Sequence, residues 1–225
     1  MANQLDLEEQ EQLDQLKAFW SQYGSYITWA LIAVLGSFAG WNLYQRWQTS
    51  QASQAAGLYD ELDRVVAGKD VAKVERVFGD LKDKFPSTIQ AQQGALVAAK
   101  VYFEAAKFDQ AKAALTWVAE KSSDAGYQAI AKLRLAAVLL ETKSYDEALK
   151  QLEGGFPSEY TALVADRKGD IFSLQGKKAE ARSEYEKSFA AMDERIEYRR
   201  LVEVKLGALG GTAKPQTTAA PEGKK

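Results

Sequence analysis

A chain of 225 residues with 46% apolar and 27% charged residues and four prolines has room for one ordinary domain plus an anchor or tails, and most of it should fold. It contains no histidine and no cysteine, which excludes serine–histidine and cysteine–histidine catalysis, imidazole or thiolate zinc sites, disulfide scaffolds and covalent haem attachment. The net charge of -2 is unevenly spread, and with only carboxylate, lysine or tyrosine chemistry left, the composition argues against an enzyme and for no cofactor.

Residues 1–17 carry Asp6, Glu8, Glu9, Glu11 and Asp14 against Lys17 alone. This is an acidic tail. Leu5-Asp6-Leu7 and Leu13-x-x-Leu16 give it a weak amphipathic pattern, which suits either docking on a basic partner or simple solvation away from anionic lipid.

Residues 18–45 hold no charge. The apolar heart, Tyr26 to Tyr44, is long enough to cross a hydrocarbon core of about 30 Å as a helix. Trp20, Tyr23, Tyr26 and Trp29 precede it, and Trp41, Tyr44 and Trp47 follow. Indole and phenol rings favour the headgroup layer, so the pattern predicts one spanning signal anchor. A cleaved signal peptide is the competing reading, with Ser37-Phe38-Ala39 as its small-x-small site. An acidic leader and a second aromatic belt beyond that site argue against cleavage. Lys17 and Arg46 balance, so charge alone leaves the orientation open. Gly36 and Gly40, with Ala33 and Ser37 beside them, form a small strip that either packs a second helix or reflects ordinary membrane-helix composition.

Residues 46–209 are neutral and carry no Lys/Arg cluster, so nucleic acid is not an expected partner. Gln45–Ala56 favours helix and predicts that the spanning helix runs on into the first domain helix. Beyond it the apolar period is helical throughout, broken at residues 68–70, 85–87, 122–124, 154–157 and 176. The fold class is all-α.

Val74, Ala111, Ala148 and Ala181 are anchors spaced 37, 37 and 33 residues apart. Twelve residues before them stand Leu62, Ala99, Ala136 and Gly169; four after stand Phe78, Leu115, Leu152 and Tyr185. Small residues on two helices let their backbones approach while large neighbours fill the space above and below, which describes a helix hairpin. One hairpin cannot bury its apolar face alone, so three or four must stack. Asp109 and Asp146 are expected to open the second helices of the middle units, where a carboxylate caps free N–H groups and meets the positive helix end. The long periods are expected to place about three extra residues in the connections. Residues 190–209 read as a capping helix and 210–225 as a disordered tail. Acid pairs such as Asp60/Glu61, Asp146/Glu147 and Asp193/Glu194 diverge by about 100° on a helix and read as solvated faces.

The small-x-x-large pairs and the turns before Phe108-Asp-Gln-Ala111 and Tyr145-Asp-Glu-Ala148 resemble tetratricopeptide repeats. The resemblance is good in the second and third units and weaker in the first, where Leu62 and Val74 replace the small pair. It implies a concave face lined by the first helices, with Tyr59, Leu96, Phe103, Leu133 and Leu140 toward a groove and Lys100 and Glu104 at its edge. The competing assignment packs these residues against neighbouring hairpins or the cap.

The order of parts, including Trp41-Asn-Leu-Tyr-Gln-Arg-Trp47 and Val204-Lys-Leu206 in the last helix, resembles the YfgM family. That resemblance implies a single-pass bacterial inner-membrane protein with its N-terminus cytoplasmic and its repeats periplasmic. It also implies a non-catalytic role beside the SecYEG translocon, a PpiD-like membrane chaperone as partner, and contact with exported polypeptides. Two other readings stay open: a membrane-anchored regulator whose acidic tail sequesters a signalling protein, and an envelope assembly scaffold.

Overall fold

The computed structural model describes residues 7–211, all-helical apart from turns. Helix α1 (Leu7–Ala67) is continuous over 61 residues, in keeping with the absence of Pro from it and the helix-favouring Gln/Ala run. The chain divides into two compact bodies, one ending at Ser53 and one beginning at Gln54.

In the first body the apolar side chains from Leu31 to Leu43 are bare. Leu31, Ile32, Val34, Leu35, Phe38 and Leu43 are each more than half exposed. A helix that is apolar all round and unpacked has the surface of a membrane span, and α1 alone among the described helices is long and apolar enough to cross one. Trp41, Tyr44 and Trp47 lie one above another, with ring centroids 6.4 and 6.1 Å apart. The acidic-tail expectation falls partly outside the described residues, as does all of 212–225.

In the second body, the end of α1 turns into α2 (Val71–Lys84) and shares one apolar cluster with it through Leu62 and Val74, while α3 (Ile89–Glu104) pairs with α4 (Phe108–Lys121), α5 (Ala125–Glu141) with α6 (Tyr145–Gln151), and α7 (Thr161–Leu174) with α8 (Lys178–Ala191). These are the four predicted hairpins. Val74, Ala111, Ala148 and Ala181 are all fully buried, and Phe78, Leu115, Leu152 and Tyr185 are buried one turn on. The cap is shorter than expected: α9 spans Tyr198–Ala208, and residues 192–197 form the turn into it. Gly210, at φ 74°, and Gly211, whose N–H donates to the Leu206 carbonyl, close α9, so they belong to its end.

Each hairpin turn is built the same way. Residues 69, 106, 143 and 176 all have positive φ, at 54°, 55°, 58° and 74°, and repeat the 37, 37, 33 spacing of the anchors. After each, the next N–H donates back to a first-helix carbonyl: Asp70 to Val65, Lys107 to Tyr102, Ser144 to Leu139, Lys177 to Phe172. Only the fourth unit uses glycine; Lys69, Ala106 and Lys143 hold a conformation that costs an L-residue about 1 kcal/mol. Ala106→Gly should therefore stabilise the domain by about that amount and raise its melting temperature, whereas Gly176→Ala should lower it.

Two expectations are corrected. Asp109 and Asp146 lie inside the first turns of α4 and α6, where they meet the positive helix end; the N-cap residues are Lys107 and Ser144, and neither makes a side-chain cap bond. Side-chain caps come from Asp70, Thr88 and Asp124 on other helices. The long period is also not a matter of longer connections, since the hairpin turns are three residues in every unit and those after α2 and α4 are four and three. The extra residues lie in the helices themselves.

The core has two parts. A main cluster runs from Ala55 through Leu62, Leu81, Leu115 and Leu139 to Ile171, and a separate one joins α7, α8 and α9 through Ala181, Tyr185, Phe189, Val202 and Leu206. The second is supplemented by a polar knot. Lys205 Nζ donates to both Asp166 oxygens at 2.8 and 3.0 Å and to Asp170 at 2.7 Å. The Tyr198 hydroxyl donates to Asp166 at 2.7 Å, and that of Tyr185 to Asp170 at 2.8 Å.

Burial, then the hydrogen bonds to these carboxylates, raise the pKa of Tyr185 and Tyr198. For Lys205 burial acts downward, but the bonds to Asp166 and Asp170 outweigh it and the net shift is upward. Raised values favour the protonated forms of the fold. Their stabilisation is complete below the ordinary values of 10.0 for tyrosine and 10.5 for lysine, and drains away as pH climbs through the folded-state values. Thermal melts should be level from about pH 8 to about pH 10 and fall above it, with a shallower fall in Lys205→Met.

Candidate functional site

An apolar opening in the second body lies between α3 and α5. Ala99, Lys100, Phe103, Leu115, Arg134, Ala137 and Val138 line about 390 Å3. It exists because the first helices meet through small side chains: Ala99 is buried and Ala137 half-buried, so no large residue fills the seam. Leu115 from α4 and Val138 close the floor. Phe103 is held edge-on by Phe108, with centroids 5.7 Å apart.

Two cations stand at the rim. Arg134 bridges the seam, its Nη1 donating to the Leu96 carbonyl of α3 at 3.1 Å. That bond uses one of five guanidinium donors and fixes the rest near the opening. Lys100 faces Glu104 at 3.8 Å, beyond hydrogen-bond range and largely in solvent. An apolar floor beneath two cations is chemically suited to an apolar side chain carried by a neutral or acidic segment.

The structure brings together only part of the predicted groove set. Lys100 and Phe103 line the opening, and Glu104 sits beside Lys100. Leu96 is buried in the core at 7% exposure and contributes its carbonyl rather than its side chain. Tyr59, Leu133 and Leu140 are half-buried, pack against the main cluster and do not line the opening. Burial, followed by the nearby Asp63 carboxylate, raises the Tyr59 pKa. Arg134 and Ala137 were not foreseen. The repeat offers one signal for Ala137, since it follows Ala136 as Lys100 follows Ala99.

In the first body, Gly36 and Gly40 leave open space where a Cβ would stand. Ser37 spends its hydroxyl on the Ala33 carbonyl at 2.7 Å, so the strip presents no free polar hydrogen from that side chain.

The tetratricopeptide repeat-like domain family matches residues 17–211. Three relatives share the name ancillary SecYEG translocon subunit. The protein of Neisseria gonorrhoeae is 32% identical over 90% of this chain and 98% of its own length. That of Haemophilus influenzae is 31% identical over 81% of this chain and 89% of its own. That of Escherichia coli is 27% identical over 79% and 85%.

Proposed function

We infer the role of this chain from its family: it belongs to the tetratricopeptide repeat-like family of ancillary SecYEG translocon subunits. It associates with the translocon as a non-catalytic subunit, held in the inner membrane by the apolar part of α1. Its acidic N-terminal residues lie in the cytoplasm and its repeats in the periplasm, where the α3–α5 groove engages a PpiD-like membrane chaperone and assists newly exported chains.

The observation that carries this reading is the groove itself. It is apolar, open and edged by Lys100 and Arg134. An emerging chain has not yet buried its apolar side chains, and such an opening holds one without demanding a particular sequence. The bare apolar surface of α1 supports the anchor.

A photoreactive amino acid placed at Lys100 or Ala137 in living cells tests the partners. Crosslinks to translocon subunits, a membrane-anchored chaperone or exported chains are expected, with few from a control position at Glu120 on α4. Crosslinks dominated by division or outer-membrane proteins would replace this reading with that of an envelope scaffold. Digestion of residues 54–209 by protease added to spheroplasts is expected, and protection would reverse the orientation.

A further inference from the structure

The second helix of the third unit stops early. α2, α4 and α8 each run 14 residues and α6 only seven, a shortfall of roughly 10 Å at the α-helical rise. The chain leaves α6 through Gly154 and Gly155, both in the left-handed region at φ 65° and 70°. Pro157 then holds an extended conformation before the next unit begins. Any other residue at these two glycines would be strained, so the early stop is built into the backbone.

The missing turns leave a notch of about 350 Å3 between the end of α6, α7 and α8. Leu152, Phe156, Val164 and Ala165 give it an apolar lining, with Lys168, Lys187 and Glu184 at the margin. Lys187 is matched by Glu184 at 2.6 Å. Lys168 has no carboxylate partner among the described residues, and neither does Lys132, whose ammonium stands 5.5 Å from the centre of the Phe156 ring. The N–H groups of Gly154 and Gly155 donate to no backbone carbonyl among the described residues. The notch thus combines an apolar lining with the unmatched Lys168, and the unmatched Lys132 and the glycine amides stand beside it at Gly155 and Phe156.

We propose that this notch docks an acidic segment of a partner protein through one large apolar side chain. That side chain occupies the space left by the absent turns of α6, and the carboxylates flanking it meet Lys168, Lys132 and the glycine amides. A basic segment is repelled by the same two lysines. The notch shares no lining residue with the α3–α5 groove, so the proposal stands apart from the role assigned to that groove.

The test uses the full chain in nanodiscs of zwitterionic lipid and a fluorescent hexapeptide with a Leu-Phe centre flanked by glutamates. Fluorescence anisotropy should show binding that is about tenfold tighter than for the same peptide with glutamines, and weaker as salt rises. Lys168→Glu and Lys132→Glu should each weaken it by about the same factor, while Lys121→Glu, on α4 and away from both openings, leaves it unchanged. Should Lys168→Glu lose its helical circular dichroism, Lys168→Gln supplies the comparison and should show a smaller loss. Equal binding of the two peptides, or indifference to both substitutions at Lys168, would overturn the proposal. Loss of binding in Lys100→Glu alone would move the peptide to the groove and overturn it too. So would vesicles of anionic phospholipid that bind through Lys168 when the peptide does not, because the site would then be a lipid site.

Discussion

Lys205→Met should remove roughly 3–5 kcal/mol from the stability of the last hairpin and its cap, nearer the lower figure because a fifth of the Lys205 side chain is exposed. Asp166 is 2% exposed and depends on Lys205 for the bonds to both its oxygens, with Tyr198 as its other donor. Asp170 loses the same ammonium. Asp170 keeps Arg167 at 3.4 Å and the Tyr185 hydroxyl, but Asp166 is left with Tyr198 alone, and an unpaired buried charge costs far more than the pair contributes when intact. In urea, α8 and α9 should become protease-sensitive well before the main cluster unfolds, since the two clusters are separate. Adding Asp166→Asn to Lys205→Met should recover part of the loss by removing the stranded charge. An unchanged unfolding midpoint in Lys205→Met would mean that the knot contributes nothing to the cap.

A second large effect is expected at Leu62, which is fully buried where the other units place Ala99, Ala136 or Gly169. Leu62→Ala should cost about 2–5 kcal/mol by leaving a cavity in the main cluster. The room for Leu62 comes from Gly94 on α3, where a Cβ would stand 3.1 Å from a Leu62 methyl and 2.7 Å from one of Leu81. Gly94→Ala should therefore cost about 1–3 kcal/mol alone and less when Leu62 is already alanine. Chemical denaturation of the two single variants and the double measures this. Additive losses would show that the two positions do not share one space.

The pairing of Leu62 with Gly94 explains why the first unit looked irregular. The sequence displays a large residue where a small one is expected, but its compensating glycine lies 32 positions on, outside the repeat template. The hairpins themselves were legible because the small and large positions recur at fixed offsets, and burial at Ala111, Ala148 and Ala181 follows directly. Capping was misread at Asp109 and Asp146 because a shift of two residues moves a carboxylate from the cap into the first turn, and apolar periodicity carries no such detail.

The groove was partly legible for the same reason. Membership of a first helix is readable, so Lys100 and Phe103 were placed, but which face of α5 meets α3 depends on packing. Arg134 acts on a carbonyl 38 residues away, a backbone partner that no residue pattern announces. Lys205 and its carboxylates are also 35 and 39 residues apart and read in sequence as ordinary solvated charges.

The four matching turns bear on how such a chain changes length. Because residues 69, 106 and 143 fall 37 apart with the same backbone twist, a block of that size excised or copied between them would rejoin in phase, with every bend already in place. Growth or shrinkage of the array by whole blocks then needs no newly invented corner, only side chains that agree across the fresh seam. The shorter final spacing marks the place where such duplication would fall out of step.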